Sequence, residues 1–329
     1  MKELKNLRLF NNRKRATIIL LILAACIGIC VVSYYLYQDH QQQEMKKIVK
    51  KYAEDGVLVY GADDSAPPLR YVDPEDGQYK GVSVDYINLI SLELGVRIVC
   101  KPYKWENAIK AVESGETDMC DLFKNDSRAE KLVFTDPIYT LRTVVACKNN
   151  KHYSLSDLNH LRIATQSGDF ANGYLKENYP GAKLIYVHDV GEGIEKMIRG
   201  KADAVIGDEP VLQYYSKKKG TVNKIHTINT ALYEEPVYLG IPKEKKELVK
   251  PLNAAIKKSE AQIKSKTSSR SGTGSPYPWW MKARKGSRAS LLYYLLSCFC
   301  FSCFSRQITQ CCAGKSQNGH PNSPRAGMN

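Results

Sequence analysis

Apolar and polar positions follow several distinct rhythms along this chain. The first is an unbroken apolar run. Residues 16–37 are 22 consecutive positions without a formal charge. At 1.5 Å per residue, a helix of this length reaches across a hydrocarbon core about 30 Å thick. Six basic residues lie among the first 15, and the positive-inside rule keeps them in the cytoplasm. The pattern therefore predicts a cytoplasmic basic segment (1–15), a transmembrane anchor (16–37) and a linker (38–52), with all that follows outside. Tyr34, Tyr35 and Tyr37 fall where an aromatic belt meets the outer headgroups. Residues 45–52 read as a short amphipathic connector. A cleavable signal peptide needs a shorter apolar core and a small-residue site, and neither is evident. Leu23-Ala24-Ala25-Cys26 resembles a bacterial lipobox, so a lipid anchor at Cys26 is the alternative.

Beyond residue 53 the rhythm becomes that of a mixed fold. Val57-Leu-Val-Tyr-Gly61 is a short apolar run ended by glycine and reads as a strand. Ala62-Asp-Asp-Ser-Ala-Pro-Pro68 has the composition of a loop, and Pro74-Glu-Asp-Gly77 that of a turn between short strands. Residues 84–94 show apolar positions at helical spacing and stop at Gly95. Residues 96–100 are the next strand. Then one pattern occurs twice: helix, glycine, two residues, aspartate, strand. It spans 105–123 around Gly115 and Asp118, and 191–207 around Gly200 and Asp203. Strands are also predicted at 162–165, 184–187 and 236–241, and a helix at 247–257. Two such units in separate halves predict two α/β lobes with mostly parallel sheets.

Charge sharpens this picture once it is divided. The chain of 329 residues carries a net +14. Residues 1–15 contribute +5 and residues 261–329 contribute +10, so the stretch between them is net −1. A nucleic-acid-binding domain normally carries its basic patch inside the folded part, so this balance argues against a nucleic-acid partner. The last segment holds no acidic residue and is rich in Ser, Arg, Gly and Cys. Residues 263–329 are therefore read as an atypical basic Ser/Cys-rich tail and as the product of a frameshift. Cys100, Cys120 and Cys147 belong to the exported part, show no metal-ligand spacing and read as free thiols. No metal or cofactor is expected.

In open α/β sheets, ligands bind beyond the carboxyl ends of the strands. The loops there present Asp63 and Asp64, then Lys124-Asn-Asp-Ser-Arg128, then Ser167-Gly-Asp169, then Asp208-Glu209. Together with Ser127-Arg-Ala-Glu-Lys-Leu-Val-Phe-Thr-Asp-Pro-Ile-Tyr139 and Gly200-Lys-Ala-Asp-Ala-Val-Ile-Gly-Asp208, these segments resemble family-3 bacterial extracellular solute-binding proteins. The resemblance runs from about residue 53 to about 262. It implies an α/β, two-lobe periplasmic-binding-protein-like type II fold with a hinge, preceded here by one transmembrane helix. Lobe 1 is then about 53–143 plus 236–262, and lobe 2 about 148–232.

The resemblance also implies roles. Arg128 matches the arginine that grips a ligand carboxylate, Asp208 the acid that holds an ammonium, and Trp105 the aromatic that stacks on the ligand. Asp63 opens the first loop, and Gly168 and Asp169 form the second-lobe loop facing the carboxylate. Some positions depart from the family pattern. The aromatic positions of the first loop are Ala66 and Leu69, and a shortened segment before Arg128 brings Asp121 and Lys124 toward the cleft. These departures look more like the sensor versions of the domain. The expected function is capture of an amino acid or similar small polar ligand for ABC-type import. The alternative is the ligand-sensing region of a truncated histidine kinase or diguanylate cyclase receptor. The expected partners are the ligand, the membrane, and either a permease or an output domain. No nucleophile–base pair or metal-hydrolase motif is present, so no enzymatic activity is expected.

Overall fold

The computed structural model describes residues 2–268, with side chains described over 17–263. The expectations for the tail from 269 onward lie outside the described residues. The first helix, α1 (Lys2–Tyr52), runs unbroken for 51 residues. The stretch 38–52, expected as a linker, is a continuation of that helix. Its sequence explains this, because no glycine or proline occurs from 29 to 55 to break the ladder. Local pairs such as Gln43 Nε2 to Asp39 Oδ2 at 2.8 Å support the exposed surface. The large apolar side chains between 18 and 37 are exposed along the helix, as they are when lipid is the solvent.

The last turns of α1 seat on the folded domain. Val49 is buried in the core, Lys51 pairs with Glu247 at 2.9 Å, and the Tyr52 hydroxyl donates to the Glu244 carbonyl. The apolar helix is thus continuous with lobe 1.

Lobe 1 starts with β1 (Val57–Asp63). This strand pairs in parallel with β5 (Arg97–Tyr103) after α2 (Val82–Leu94). α2 ends where Gly95 takes φ 66 and donates its N–H to the Leu92 and Ser91 carbonyls. Between β1 and α2, the short strands β2 (Ser65–Ala66), β3 (Arg70–Val72) and β4 (Tyr79–Lys80) form a separate antiparallel sheet. That small sheet places Arg70 at the cleft. α3 (Trp105–Glu113) and β6 (Cys120–Phe123) follow, then the single turn α4 (Asp126–Ala129), whose N-cap is Asn125.

Two long strands then join the halves. β7 (Leu132–Lys148) leaves lobe 1 and β12 (Tyr233–Pro242) returns to it. They pair antiparallel from Tyr233↔Thr143 to Pro242↔Leu132. Between them lie β8 (Arg162–Gln166), α5 (Phe170–Asn178), β9 (Lys183–Val187), α6 (Val190–Ile198), β10 (Ala204–Asp208), α7 (Glu209–Lys218) and β11 (Ile225–Thr227). The large sheet has the order β6-β12-β7-β10-β8-β9, with β11 on β7. It is less parallel than the periodicity predicts. A chain that crosses outward and back along one path must pair antiparallel, and β6, β12, β7 and β10 all do so. Among the described strands, β10–β8–β9 and β1–β5 pair in parallel.

The repeated aspartates do the same structural work in each lobe. Asp118 Oδ2 accepts the Val59 N–H at 2.6 Å, and Asp203 Oδ2 accepts the Arg162 N–H at 2.9 Å. Each carboxylate ties the end of one strand's lead-in to the neighbouring strand. The final helix, α8 (Val249–Ser268), packs against α2 and α1.

Candidate ligand cleft

The ends of β1, β6, β8 and β10 converge on one cavity between the lobes. It encloses about 620 Å³ of atom-free space, counted to its mouth. Of the residues expected at the site, Asp63, Trp105, Asp121, Asp169 and Asp208 line it. Arg128 and Gly168 do not. They stand on its flank in an adjoining depression that shares Asp169 and Phe170 with the cavity.

Asp121 is the most enclosed of the acids. It lies in β6, where every residue is buried, and its carboxylate accepts from three donors. The Tyr60 hydroxyl reaches Oδ1 at 2.7 Å, the Tyr139 hydroxyl reaches Oδ2 at 2.6 Å, and Arg70 Nη1 reaches Oδ2 at 2.9 Å. Asp121 is therefore spent on holding Arg70 rather than left open to a ligand.

Arg70 is absent from the sequence-based set. It is 7 % exposed, lines the cavity, and its guanidinium carbon stands 5.2 Å from the Trp105 ring centroid. One signal for it does exist in the sequence. An aspartate inside a four-residue strand that is otherwise apolar needs a buried cation, since an unpaired interior charge is prohibitively costly. What the sequence does not reveal is which of the 48 basic residues supplies it.

Arg128 is buried too, with its guanidinium carbon 5.8 Å from the same ring. Its Nη1 donates to the Phe123 carbonyl at 2.7 Å, and its Nη2 to the Gly168 carbonyl at 3.4 Å. The side chain thus bridges lobe 1 to lobe 2. Trp105 lies against both guanidinium groups, and its indole N–H has no protein partner.

The remaining acids are held but not neutralised. Asp63 accepts from the Ser65 N–H and hydroxyl, and from Gln166 Nε2 across the cleft at 3.1 Å. Burial pushes its pKa up, and the Arg70 guanidinium pulls it back. Asp169 caps α5 by accepting the Ala171 N–H at 2.7 Å, and burial raises its pKa. Asp208 stands at the N-cap position of α7 but makes no cap bond. Its carboxylate turns instead to the Thr143 hydroxyl at 2.7 Å. Burial, then the charge of Asp169, raises its pKa to about 7.

The lobes meet around this cavity in a closed arrangement. Besides Gln166–Asp63, Ser167 Oγ donates to Glu106 Oε2 at 3.1 Å, and the Tyr215 hydroxyl to the Ser65 carbonyl at 2.9 Å. Phe123 from lobe 1 meets Phe170 from lobe 2 edge to face at 5.4 Å, which gives the cavity an apolar wall. The result is an enclosed, largely acidic receptacle with one aromatic wall.

The pattern of residues 58–268 matches the model of the bacterial extracellular solute-binding proteins, family 3. The chain belongs to this family. Among its relatives is the L-cystine-binding protein TcyJ of Escherichia coli K12. The two are 23% identical over 238 residues, covering 70% of this chain and 88% of that protein. The virulence sensor protein BvgS of Bordetella bronchiseptica is 28% identical over 214 residues, which are 62% of this chain but 17% of that protein. In three dimensions the chain is similar to a histidine kinase sensor domain resembling periplasmic binding proteins. The TM-score is 0.60 at 17% identity, covering 68% of this chain and all of that one. The likeness confirms the two-lobe type II fold.

Proposed function

We propose that this protein is a membrane-anchored, extracytoplasmic receptor that captures an amino acid or similar small polar ligand between its lobes for ABC-type import. One observation carries the reading. Acids and a guanidinium from separate lobes face a single enclosed cavity, which closure completes. In this reading Asp208 and Asp169 receive an ammonium group, and the Phe123–Phe170 wall contacts the ligand's aliphatic part. The relatives this reading draws on are named as binding proteins. The apolar part of α1 spans the membrane with its basic end in the cytoplasm, as the positive-inside rule favours.

A second role is favoured by a specific feature. α1 passes from the apolar segment into lobe 1 without a flexible break. A tethered importer component gains from slack, whereas a sensor needs stiffness to pass lobe motion to the membrane. Together with the BvgS likeness, this supports a signalling receptor as the alternative.

The test is a thermal-shift screen of the full chain in detergent against amino acids, polyamines and small carboxylates. A ligand at about 100 times its Kd adds roughly 2.7 kcal/mol and raises the midpoint by several degrees. A hit abolished in Asp208→Ala supports the reading. A cooperatively melting chain that responds to none of them refutes it.

A further inference from the structure

Only one helical turn separates the apolar segment of α1 from its first contact with lobe 1. The apolar run ends at Tyr37, and Gln41 already touches the folded domain. Its Oε1 accepts a hydrogen bond at 2.9 Å from the Nζ of Lys250, at the start of α8. Four residues of helix rise only about 6 Å. The headgroup layer on each side of a bilayer is about 5–7 Å thick, half the difference between the whole bilayer and its hydrocarbon core. On the membrane-anchored reading, Gln41 and the Lys250 ammonium therefore lie at headgroup depth. No glycine or proline between Tyr37 and Gln41 offers a bend that would lift the domain away.

The rest of α1 fixes this height. Met45 and Ile48 are half-buried, Val49 is buried, and Lys51 pairs with Glu247. A groove with about 430 Å³ of atom-free space begins at Gln42 and runs between α1, the end of α2 and α8. Met45, Val49, Leu94, Pro251 and Ala255 form its apolar walls. Position along α1 thus orders the elements of lobe 1 by depth. Lys250 is level with Gln41, whereas Glu247 stands beside Lys51, about 21 Å beyond Tyr37.

Charge at this corner suits phosphate locally without making an anionic-membrane patch. Residues 38–47, the groove lining and Lys250 together hold Lys46, Lys47, Lys250 and Lys258 against Asp39, Glu44 and Glu93, a net of +1. Glu44 is paired with Lys47 at 2.7 Å, and Glu93 is held by Lys258 at 3.9 Å and by Gln262. Asp39 accepts from Gln43. Among the described residues, no carboxylate stands at ion-pair distance from Lys46 or Lys250. Side chains on a helix lean toward its N-terminus, which for α1 is the membrane side, so Lys46 leans toward the layer that Lys250 reaches. The phosphate of any phospholipid supplies the acceptor that both lysines lack.

We propose that lobe 1 rests directly on the phospholipid headgroups of the membrane that α1 crosses, through the corner of α1 and α8 that carries Lys46 and Lys250. This rests on the membrane-anchored reading above.

The full chain is reconstituted in vesicles of phosphatidylcholine and phosphatidylglycerol. The photoreactive residue p-benzoylphenylalanine replaces Leu21, Glu247 or Lys250, one at a time. All three side chains are exposed, so none of the replacements disturbs the core. After illumination, lipid adducts are measured by mass spectrometry. Leu21 reports insertion of the apolar segment. The expected result is adducts of both lipids at Leu21 and at Lys250. At Glu247, three residues earlier but about 15 Å farther from the membrane, adducts should be about fivefold or more fewer. Adducts at Leu21 with no more at Lys250 than at Glu247 overturn the contact and leave the anchor standing. A protein–protein cross-link at Lys250 in place of lipid overturns it too, and gives this corner to a second copy of the chain. Absence of adducts at Leu21 refutes the anchor and this inference with it.

Discussion

Arg70 Nη1 and Asp121 Oδ2 lie 2.9 Å apart at the floor of the cleft, and the Asp121 side chain is fully enclosed. The pair links two pieces of chain that share no long strand, the small β2–β3–β4 sheet and the buried strand β6. Removing one partner leaves a bare charge in a low-dielectric site. Asp121→Ala should therefore destabilise the fold by about 3–5 kcal/mol, read from the midpoint shift in urea. Tyr60 and Tyr139 share the same carboxylate, so Tyr139→Phe should cost less, about 0.5–1.5 kcal/mol. An Asp121→Ala midpoint within error of the parent's would show that the pair contributes nothing to the fold.

Two hydrogen bonds latch the lobes across the cleft: Gln166 to Asp63, and Tyr215 to the Ser65 carbonyl. Each is worth about 1 kcal/mol, so losing both shifts the open–closed balance by roughly 30-fold toward open. Small-angle scattering of a Gln166→Ala/Tyr215→Phe variant should show a larger radius of gyration than the parent without ligand. A saturating ligand should bring the two together again. Identical ligand-free curves would mean that these bonds do not hold the closed state.

Legibility from sequence divides along a physical line. Local signals served well. The glycine stop at Gly95 ends α2, and the repeated glycine–aspartate pattern sits between helix and strand in both lobes. Asp63 and Asp208 end strands and Asp169 lies on the loop after one, where topology alone sends ligands, and all three line the cavity. The relationships that sequence does not carry are those made only by folding. Arg70 looks like an ordinary loop cation until the β3 turn brings it to Asp121, 51 residues away in sequence. Gln166 meets Asp63 only because the lobes close, across 103 residues. The antiparallel β7–β12 ribbon is likewise a matter of chain path rather than periodicity.

Asp208 makes stability depend on pH in a definite direction. Its folded pKa is raised to about 7 from an ordinary 3.8. Between those values the native state binds more protons than the unfolded chain. Unfolding free energy attributable to this group therefore falls as pH rises from about 4 to about 7. Asp208→Asn removes that loss. In the absence of ligand the variant should match the parent near pH 4 and exceed it by about 1–3 kcal/mol at pH 8, after allowance for partial solvent access. Chemical melts at both pH values provide the check. A variant less stable than the parent at pH 8 would contradict the raised pKa. A cationic ligand at this carboxylate would displace the proton, so its affinity should increase through pH 7.

Gly193 lets α6 approach the lobe 2 sheet more closely than any side chain allows. A Cβ there would stand 2.6 Å from Val205 Cγ2 and 3.4 Å from Ala164 Cβ. Helix propensity alone predicts that Gly193→Ala stabilises by up to about 1 kcal/mol. The contact distance predicts the reverse, a loss of about 1–3 kcal/mol from overpacking. Val205→Ala removes the clashing methyl groups. The double variant should therefore be less destabilised than the two single losses combined. Additive losses would place the strain elsewhere than at the Val205 contact.

Val49 fixes how α1 meets the binding domain. It is 4 % exposed on a helix that is otherwise mostly bare, and it seats α1 beside α8 with the Lys51–Glu247 pair. If the protein signals, movement of lobe 1 must reach the membrane through this joint. Val49→Asp places a charge in that seam and should undock the last turns of α1. Binding itself should survive, because none of the cavity residues lies on α1. The expected result is unchanged ligand affinity with faster amide exchange over 41–52 and at the start of α8, where the undocked surfaces face each other. A receptor coupled through this joint should lose its ligand-dependent response in membranes, whereas an importer that only needs a tether should keep its transport. Slow exchange unchanged by Val49→Asp would show that α1 is held to lobe 1 by something other than this contact.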